Sequence, residues 1–547
     1  MHSKFSGLTM RKTAWRHGLR LALTVVAVSA RLGGQPSPRV PLGDPTYEAL
    51  DVIVGSGLVR TIVYGQRPFT QREVARIIAE ANVQAARRPV SVTTQRVLAK
   101  LTARFPTDSA NVTPPRTTAA QFASIELLAL DSPSRDIPPA PVGSVAADIN
   151  PLLNNRGGRR YGAGLTLGID AGGAWTLGDH VLLALQPRLA AGGNASARFA
   201  DATVQGASVA VSARNLVFEL GRQPIVWGQA MDGGLLFSSS GRPLDMIRIA
   251  TARPWRAPWL FGWLGLLRGT ALLADLGPNQ NFPHAKIAAY KLSGQITSYF
   301  EFSAGVLVHE GGRGAPPASL VDRFVDLVPA LKYTLPDHTT QFSNKLAGFD
   351  SRVRIPQLHG LQLYSEHVFD DMDPRRWRST LWEDGGHIVG ASLAQLGANG
   401  AVSVTTEFHH TGLRYYQHTP FTSGVTFNRT LLGDPLGPQG DGGYLRLAHD
   451  AGRKQRWRID GAIERRGGDI WATASTGARE DFFHFVLVKQ QPAEWRRRLT
   501  ARWELSPNRW QRLTVEGGIE RVRDAAFVGG AQRTNALAGV QWAWFVP

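Results

Sequence analysis

The sequence contains no cysteine among its 547 residues. Neither a disulfide framework nor a metal site built on thiolates is therefore available to it. Acidic residues are also in the minority, because 61 lysine and arginine residues outnumber 43 aspartate and glutamate residues and give a net charge of +18. Such a basic balance predicts attraction to polyanions, which are nucleic acid, anionic lipid or acidic glycan.

Long apolar runs are scarce as well. Beyond the N-terminal region, the one strongly apolar stretch is residues 259–276, and it carries Arg268 and three glycines. An arginine near the centre of a membrane-spanning helix costs roughly 2.5 to 3.5 kcal/mol on insertion scales. We therefore interpret this stretch as strand and turn, and the sequence predicts no helical membrane anchor.

The N-terminus has the order of an export signal. Cationic residues precede a short apolar run that ends in small residues, namely Arg11, Lys12, Arg16 and Arg20, then residues 21–28, then Ser29 and Ala30. This order is typical of a secretory signal peptide, here residues 1–30, and its apolar run is too short for a lasting transmembrane helix. Met10 is as good a start as Met1. Export makes nucleic acid the least expected of the three polyanions.

Residues 31–117 are predicted to form a small helical domain followed by a linker. Thr70 and Glu73 have the spacing of a capping box, and apolar residues follow at helical intervals. Three helices are expected from apolar residues in three groups, which are Tyr47, Leu50, Val54 and Leu58, then Val74, Ile77, Ile78 and Ala81, then Val97, Leu98 and Leu101. A generic helical bundle would show the same periodicity.

From residue 118 to 547 short alternating runs replace the helical period. Apolar residues of two such runs are Trp457, Ile459, Gly461 and Ile463, and Leu499, Ala501, Trp503 and Leu505, with mostly ionised residues between them. Alternation alone fits both a soluble sandwich and a membrane barrel. The 430 positions allow roughly 17 to 20 strands of barrel length, and a single soluble sheet of that size would be unusual. We therefore predict an all-β transmembrane protein with a large antiparallel barrel of about 18 strands.

Two stretches carry the strand pattern most clearly. Residues 215–249 read NLVFELGRQPIVWGQAMDGGLLFSSSGRPLDMIRI, in which Leu216, Phe218 and Leu220 share one face before turn formers take over. The last run places five apolar residues on one face, Ala536, Ala538, Val540, Trp542 and Trp544. A face of this kind is typical of a lipid-facing strand that ends in an aromatic girdle.

Residues 215–249 resemble the Wzi family of capsule-assembly proteins. Further likeness lies in TYEALDVIVGSGLV and RPFTQREVARIIAEA of the helical region and in residues 287–314, 363–377 and 404–434. The resemblance implies a Gram-negative outer-membrane barrel with a small helical domain in the periplasm, whose role is to hold capsular polysaccharide at the cell surface. Expected neighbours are outer-membrane lipid and lipopolysaccharide, and we expect a monomer.

Catalytic and metal-binding motifs are missing from the sequence. His309 and Glu310 are followed by glycines, so the second histidine of a zinc-binding HExxH helix is absent. No G-x-S-x-G elbow or phosphate-binding G-x-x-x-x-G-K-[ST] loop occurs. Asp370, Asp371 and Asp373 lack the remaining ligands of a calcium loop. We therefore expect no enzyme activity, no cofactor and no metal.

Binding of acidic glycan has better support. Arginine binds carboxylates through two parallel hydrogen bonds, and aromatic faces stack on sugars. Candidate polysaccharide-binding residues are Arg222, Trp227, Arg242, Arg376, Trp377, Tyr416 and His418. Glu366 and Glu407 are expected to pair with Arg222 in a lumen ion network. Residues 375–378 and 495–498 combine arginine with tryptophan, and membrane girdle, lipopolysaccharide contacts or lumen ion pairs are the favoured explanation of such clusters.

Two functions of different classes follow. The first is non-enzymatic assembly or attachment of capsule or exopolysaccharide by a barrel with a plugged lumen, as the resemblance implies. The second is a porin-like channel for small anionic solutes, which the positive charge would also suit. An outer-membrane hydrolase is a third option, and it lacks a nucleophile motif.

Overall fold

The computed structural model describes residues 36–106, 119–136, 147–328, 331, 334–335, 343–370, 381–416, 421–474 and 484–545. The predicted signal peptide, together with Arg376, Trp377 and His418, lies outside the described residues. None of the helices in these ranges is long and apolar enough to cross a bilayer.

Eighteen antiparallel strands of the described chain close into one barrel. They are β1 (Ala119–Leu130), β2 (Gly164–Leu177), β3 (Val181–Gly193), β4 (Arg198–Ala213), β5 (Leu216–Gln223), β6 (Leu244–Thr251), β7 (Leu266–Asp275), β8 (Lys286–Gln295), β9 (Phe300–Glu310), β10 (Ser343–Ile355), β11 (Leu361–Asp370), β12 (Gly385–Leu396), β13 (Val402–Thr411), β14 (Gly440–His449), β15 (Gln455–Arg466), β16 (Glu494–Asn508), β17 (Gln511–Arg523) and β18 (Gln532–Phe545). Each strand pairs with the next, and β18 pairs with β1. The predicted barrel of about 18 strands is confirmed.

Short elements decorate this barrel. Two-residue strands are Gln66–Arg67, Arg135–Asp136, Asp148–Ile149, Val226–Trp227, Trp255–Arg256, Thr426–Phe427 and Thr430–Leu431, and a longer hairpin pairs Ile470–Ala474 with His484–Lys489. Single 3-10 turns are Pro151–Leu153, Trp259–Leu264 and Ala525–Phe527. The apolar stretch that the sequence assigned to strand and turn is therefore a 3-10 segment followed by β7. A longer side chain at the intervening Gly265 would be strained, because its φ is 73°.

Strand alternation places apolar side chains outside and polar side chains in the lumen. Leu216, Phe218 and Leu220 of β5 are 43%, 41% and 61% exposed. Glu219, between them, is buried in the lumen and pairs with Arg39 at 2.6 Å. The predicted outward faces of β15, β16 and β18 show the same alternation in the structure. Exposed leucine and tryptophan on a barrel wall are stable in lipid and costly in water.

The two ends of the barrel differ in the length of their connections. Most connections at one end are short, for example 178–180, 214–215, 397–401 and 509–510, whereas long connections at the other end include 224–243, 311–342 and 412–439. Outer-membrane barrels have short periplasmic turns and longer extracellular loops. We therefore call these the inner end and the outer end.

Three helices precede the barrel, and they lie at the inner end. They are α1 (Thr46–Gly55), α2 (Gln71–Ala85) and α3 (Val92–Arg104). The hydroxyl of Thr70 caps α2 by accepting the N–H of Glu73 at 3.2 Å, but the carboxylate of Glu73 pairs with Arg76 instead of completing the capping box. All three predicted helices are present, although Leu58 falls beyond the end of α1 and packs in the helical core.

The chain between α1 and α2 reaches into the lumen. Glu301, on the inner face of β9, accepts the backbone N–H groups of Tyr64 and Gly65 at 2.8 Å. Residues Gln66–Arg67 then pair with Val226–Trp227 of the outer connection 224–243. Protein from the inner end and protein from the outer end therefore meet inside the barrel.

A second tie between helix and wall is ionic. Glu48 of α1 binds Arg456 and Arg458 of β15, each at 2.8 Å. Burial would raise the pKa of Glu48, but these two guanidinium groups hold it well below its usual range. The predicted boundaries at residues 30 and 117 remain predictions, because the flanking residues are not described.

Substitution of Leu220 tests the lipid-facing assignment. Leu220→Arg is expected to lower the free energy of unfolding in phospholipid vesicles by about 2–4 kcal/mol, because a charge on the lipid face is poorly solvated. Leu220→Ile, which keeps the apolar surface, is expected to leave it nearly unchanged. Urea unfolding followed by tryptophan fluorescence measures both. Equal stability of the arginine variant and the parent would contradict an outward lipid face.

Candidate functional site

The outer connection 224–243 folds back into the lumen, where Glu366 holds it. This carboxylate, buried on the inner face of β11, accepts the backbone N–H of Ala230 at 2.8 Å and that of Leu235 at 3.1 Å. It also accepts the N–H of Gln229. One wall carboxylate therefore satisfies three backbone donors of the loop, which fixes the loop without any cationic partner.

A close approach makes this contact possible. Gly228 has a φ of 129°, and a Cβ atom there would lie 2.2 Å from a carboxylate oxygen of Glu366. No side chain fits that gap, and few residues other than glycine adopt this backbone conformation. The turn-forming residues that the sequence places in this segment thus form a turn around a carboxylate.

An apolar core joins the connection 224–243 to the connection 412–439. The rings of Trp227 and Phe237 meet edge to face at 5.0 Å. The hydroxyl of Tyr416 donates to the carbonyl of Leu235 and accepts the N–H of Asp434, both at 2.6 Å. Both connections are therefore held as one body inside the outer half of the barrel.

Two of the predicted polysaccharide-binding residues are buried in this apolar core. Trp227 is 2% exposed and Tyr416 is fully buried. Neither ring offers a face on which a sugar could stack, so the prediction that they contact polysaccharide does not fit this structure. Both side chains pack within the inserted loops.

The expected ion network among Arg222, Glu366 and Glu407 does not form. Arg222 binds Asp245 through two hydrogen bonds of 2.8 and 2.6 Å. Glu407 accepts hydrogen bonds from the hydroxyl of Tyr364 at 2.6 Å, from the N–H of Met231 at 2.7 Å and from a ring nitrogen of His409 at 3.0 Å. Each of these carboxylates serves the inserted loops, because backbone donors buried there need acceptors.

Three arginines come together at the outer rim, and we call Arg160, Arg222 and Arg242 the outer arginine cluster. Burial and the neighbouring charges of Arg160 and Arg222 lower the pKa of Arg242, against the opposing charge of Asp201. Arg160 is exposed and Arg242 is half-buried. Neither of these two forms an ion pair with a described carboxylate. The structure thus brings together two predicted residues, Arg222 and Arg242, with one that the prediction missed.

Gly158 positions Arg242 within the cluster. A Cβ atom at Gly158 would lie 2.1 Å from the Cγ atom of Arg242. The connection that carries Arg160 therefore crosses directly over the Arg242 side chain. The run of Arg156, Gly157, Gly158, Arg159 and Arg160 was the available sequence signal, because glycine allows close packing and arginine supplies charge.

Two deeper arginines, Arg156 and Arg188, are neutralised by carboxylates. Arg156 binds Glu126 at 3.0 Å, and Arg188 binds Asp170 at 2.6 Å. Arg156 lines two cavities, of about 180 and 190 Å³. At the outer rim, Arg160 and Arg242 have no carboxylate partner among the described residues, and an external anion has access to Arg160.

The tryptophan and arginine cluster at 495–498 is divided by strand alternation. Trp495 is 38% exposed on the outer face of β16, whereas Arg496 and Arg498 face the lumen. There Arg496 binds Glu494 at 2.6 Å and Arg498 binds Glu464 at 3.3 Å. These residues form girdle and lumen ion pairs, and they do not form one sugar site.

His309, from the incomplete zinc motif, and Ser238, from the serine-rich part of residues 215–249, both have structural partners. His309 is buried against Phe421 with ring centres 4.4 Å apart, and the hydroxyl of Ser238 donates to the carbonyl of Gly433. Among the described side chains, no group of three or more histidine, aspartate or glutamate residues is arranged to hold a metal ion.

Sequence comparison identifies the family to which this barrel belongs. A family model described as Capsule assembly protein Wzi matches residues 134–537. The chain belongs to the Wzi family. The protein is accordingly an outer-membrane β-barrel, as the resemblance implied. No curated protein matches the sequence significantly.

One of three similar solved structures shares the fold, and the other two are more distant. Wzi of Escherichia coli, described as an outer-membrane protein involved in group 1 capsule assembly and a carbohydrate-binding β-barrel, is 18% identical, with 92% of this chain and 99% of that chain covered and a TM-score of 0.62. OccD3 (OpdP) of Pseudomonas aeruginosa is 9% identical over 78% of this chain and 91% of that chain, with a TM-score of 0.44. OprD of Pseudomonas aeruginosa is 9% identical over 78% and 94%, with a TM-score of 0.42.

Removal of the Glu366 carboxylate tests its hold on the outer loop. Glu366→Ala is expected to reduce the local stability of residues 228–235 by about 3 kcal/mol, because each buried N–H that loses its acceptor costs about 1–3 kcal/mol. Amide hydrogen exchange in this segment should then accelerate about 100-fold.

Two controls accompany this test. Glu366→Gln keeps one acceptor oxygen and should give a smaller acceleration. Asp131→Ala removes an exposed carboxylate at the same end and should give none. Unchanged exchange in the alanine variant would show that the loop is held elsewhere.

Proposed function

We propose that this Wzi-family barrel is a non-enzymatic surface-polysaccharide factor. It binds acidic polysaccharide at the outer arginine cluster and helps to assemble or attach capsule or exopolysaccharide at the cell surface. The observation that supports this most directly is the presence of Arg160 and Arg242 at the outer rim without a carboxylate partner among the described residues. Wzi of Escherichia coli, which shares the fold, is itself described as carbohydrate-binding.

The chemistry of the cluster suits an acidic glycan. A guanidinium group presents parallel N–H donors that match the two oxygens of a uronate carboxylate. Arg222 already binds Asp245 in this geometry, so a glycan carboxylate near Arg160 and Arg242 would repeat a pairing that the rim contains. The loop core holds the cluster in place before binding, which reduces the entropy lost on association.

The filled lumen argues for attachment over transport. Residues 64–67 from the inner side and 226–229 from the outer side join in mid-lumen and are fixed to wall residues. A porin-like channel for small anions needs a continuous wide path, which these contacts interrupt. The porin alternative therefore makes an opposite prediction about conductance.

Surroundings and organisation are also proposed. Residues 1–30 act as the signal peptide, the helices face the periplasm, and the outward leucine and tryptophan side chains contact outer-membrane lipid and lipopolysaccharide. The protein acts as a monomer. The closure of all barrel strands within one chain supports this last proposal.

Reversal of the charges in the cluster tests the proposed glycan contact. Arg160→Glu/Arg242→Glu is expected to raise the Kd for oligogalacturonate, a uronic-acid oligomer, by about tenfold or more. Attraction to carboxylates becomes repulsion in this variant. The matched control is Arg87→Glu, which reverses an exposed charge on the helical segment and should leave the Kd unchanged. Isothermal titration in detergent at fixed salt measures both.

A cell-based measurement then tests the function itself. Immunofluorescence should show less cell-bound polysaccharide, with more shed into the medium, in a strain that lacks the protein. The same result is expected for a strain that carries the double variant. Wild-type retention in the deletion strain would refute the proposed role, whatever the affinity measured in solution.

Conductance separates the attachment factor from the porin. In planar bilayers the wild-type protein is expected to show no large steady open state, because the lumen is filled from both ends. Deletion of residues 226–240, which removes the inserted outer segment, is expected to raise the conductance. A large steady pore in the wild-type protein would favour the channel alternative.

A further inference from the structure

A second cationic site lies at the opposite end of the molecule. Helix α3 and the inner turns 450–454 and 509–510 enclose a groove of about 750 Å³, within the roughly 300–1,000 Å³ typical of ligand sites. We call it the inner groove. Its wall carries two carboxylates, Asp450 and Glu504, and eight cations, which are Arg96, Lys100, Arg104, Arg453, Lys454, Arg456, Arg509 and Arg512.

Two of these cations are already neutralised. Arg104 binds both oxygens of Asp44 at 2.8 and 2.6 Å. Arg456 binds Glu48 at 2.8 Å and Asp450 at 2.9 Å. The other six form no ion pair within the described part of the chain. A recess with this excess of cations attracts anions strongly, because its low-dielectric walls focus the field.

One cation of the groove, Arg512, has buried donors without an acceptor, although its charge also acts on Asp44. Its Nε and one Nη atom are buried and have no hydrogen-bond partner among the described atoms. The guanidinium group lies 5.3 Å from the ring centre of Phe545. Buried charged donors without acceptors are unfavourable. An anionic oxygen in the groove would satisfy them.

The direction in which the groove side chains face distinguishes between possible anionic ligands. Strand alternation puts Arg456, Arg512 and Phe545 on the lumen side, whereas Trp544 of the same strand faces lipid at 36% exposure. A phospholipid would have to withdraw its acyl chains from the bilayer to place its headgroup in the groove. A protein partner would find a single aromatic ring, Phe545, in this groove, whereas protein interfaces use several aromatic anchors.

Neighbouring groups favour a sugar chain. Amide side chains of Gln95, Gln455, Asn508 and Gln511 line the same groove and can bind sugar hydroxyls. Pro45 and Glu504 line both this groove and the charged cavity of about 190 Å³ deeper in the lumen. We propose that the inner groove is a binding site for a segment of acidic polysaccharide, distinct from the outer arginine cluster. The choice of polysaccharide as ligand rests on the proposed function.

The lack of cysteine allows a direct test by single-site labelling. Ala99 lies on the exposed face of α3 and lines the groove, whereas Ala86 is equally exposed at the end of α2 and does not line it. Full-length Ala99→Cys and Ala86→Cys proteins in detergent would react with a maleimide dye, with and without oligogalacturonate. Oligogalacturonate is expected to slow labelling at position 99 about tenfold and to leave position 86 unchanged. Neutral dextran oligomers of equal length should protect neither.

Charge reversal identifies the groups responsible. Arg453→Glu/Arg509→Glu alters two exposed turn residues and should abolish protection of position 99. In the Arg160→Glu/Arg242→Glu background, which removes the outer site, protection should persist. Protection that is lost with the outer variant, or that survives reversal in the inner groove, would overturn the inference.

Remaining outcomes separate the competing ligands. Protection of position 99 by phosphatidylglycerol nanodiscs without glycan, compared with phosphatidylcholine nanodiscs, would replace the polysaccharide by a lipid headgroup and overturn the proposal. No protection at position 99 while the outer site still binds glycan would refute the inner groove alone. Failure of the wild-type protein to bind oligogalacturonate at either end would count against the proposed function as well.

Discussion

Carboxylates on the inner wall that accept backbone N–H groups are the interaction on which this structure depends. Glu301 takes two such donors from the chain between α1 and α2, and Glu366 takes three from the outer loop. A buried carboxylate with several good donors is stable, whereas the same donors facing an apolar wall would be strongly unfavourable. The barrel supplies the acceptors and the inserted segments supply the donors, so each holds the other in place.

This arrangement separates scaffold from surface. Because Glu366 and the Trp227 core fix the outer loop from below, Arg242 stands on a rigid base and needs no carboxylate to hold it. Arg160 reaches the same rim from another connection, across Gly158. Arg156, Arg188 and Arg496 in the lumen are paired with carboxylates and serve stability, while Arg160 and Arg242 at the outer mouth have no carboxylate partner among the described residues. This difference follows from where carboxylate acceptors are available.

Local periodicity revealed the fold, and it failed where long-range folding decides burial. The period of two in β5, β15 and β18 predicted the outward faces, and the period of 3.6 predicted α1 to α3, because both depend on neighbours in sequence. Trp227 and Tyr416 looked like surface aromatics, but their burial depends on loops that return into the lumen. Arg160 was missed for a related reason, since its proximity to Arg242 joins connections about 80 residues apart.

The closed ring of strands has a consequence for how the molecule is made. Tyr64 bonds to Glu301 across 237 positions, and β18 completes the wall only by joining β1. Segments from both mouths pair with each other inside the lumen, so each contributes to holding the other in place. Closure of the wall and placement of the segment inside it are therefore coupled, because both depend on contacts between residues far apart in the sequence.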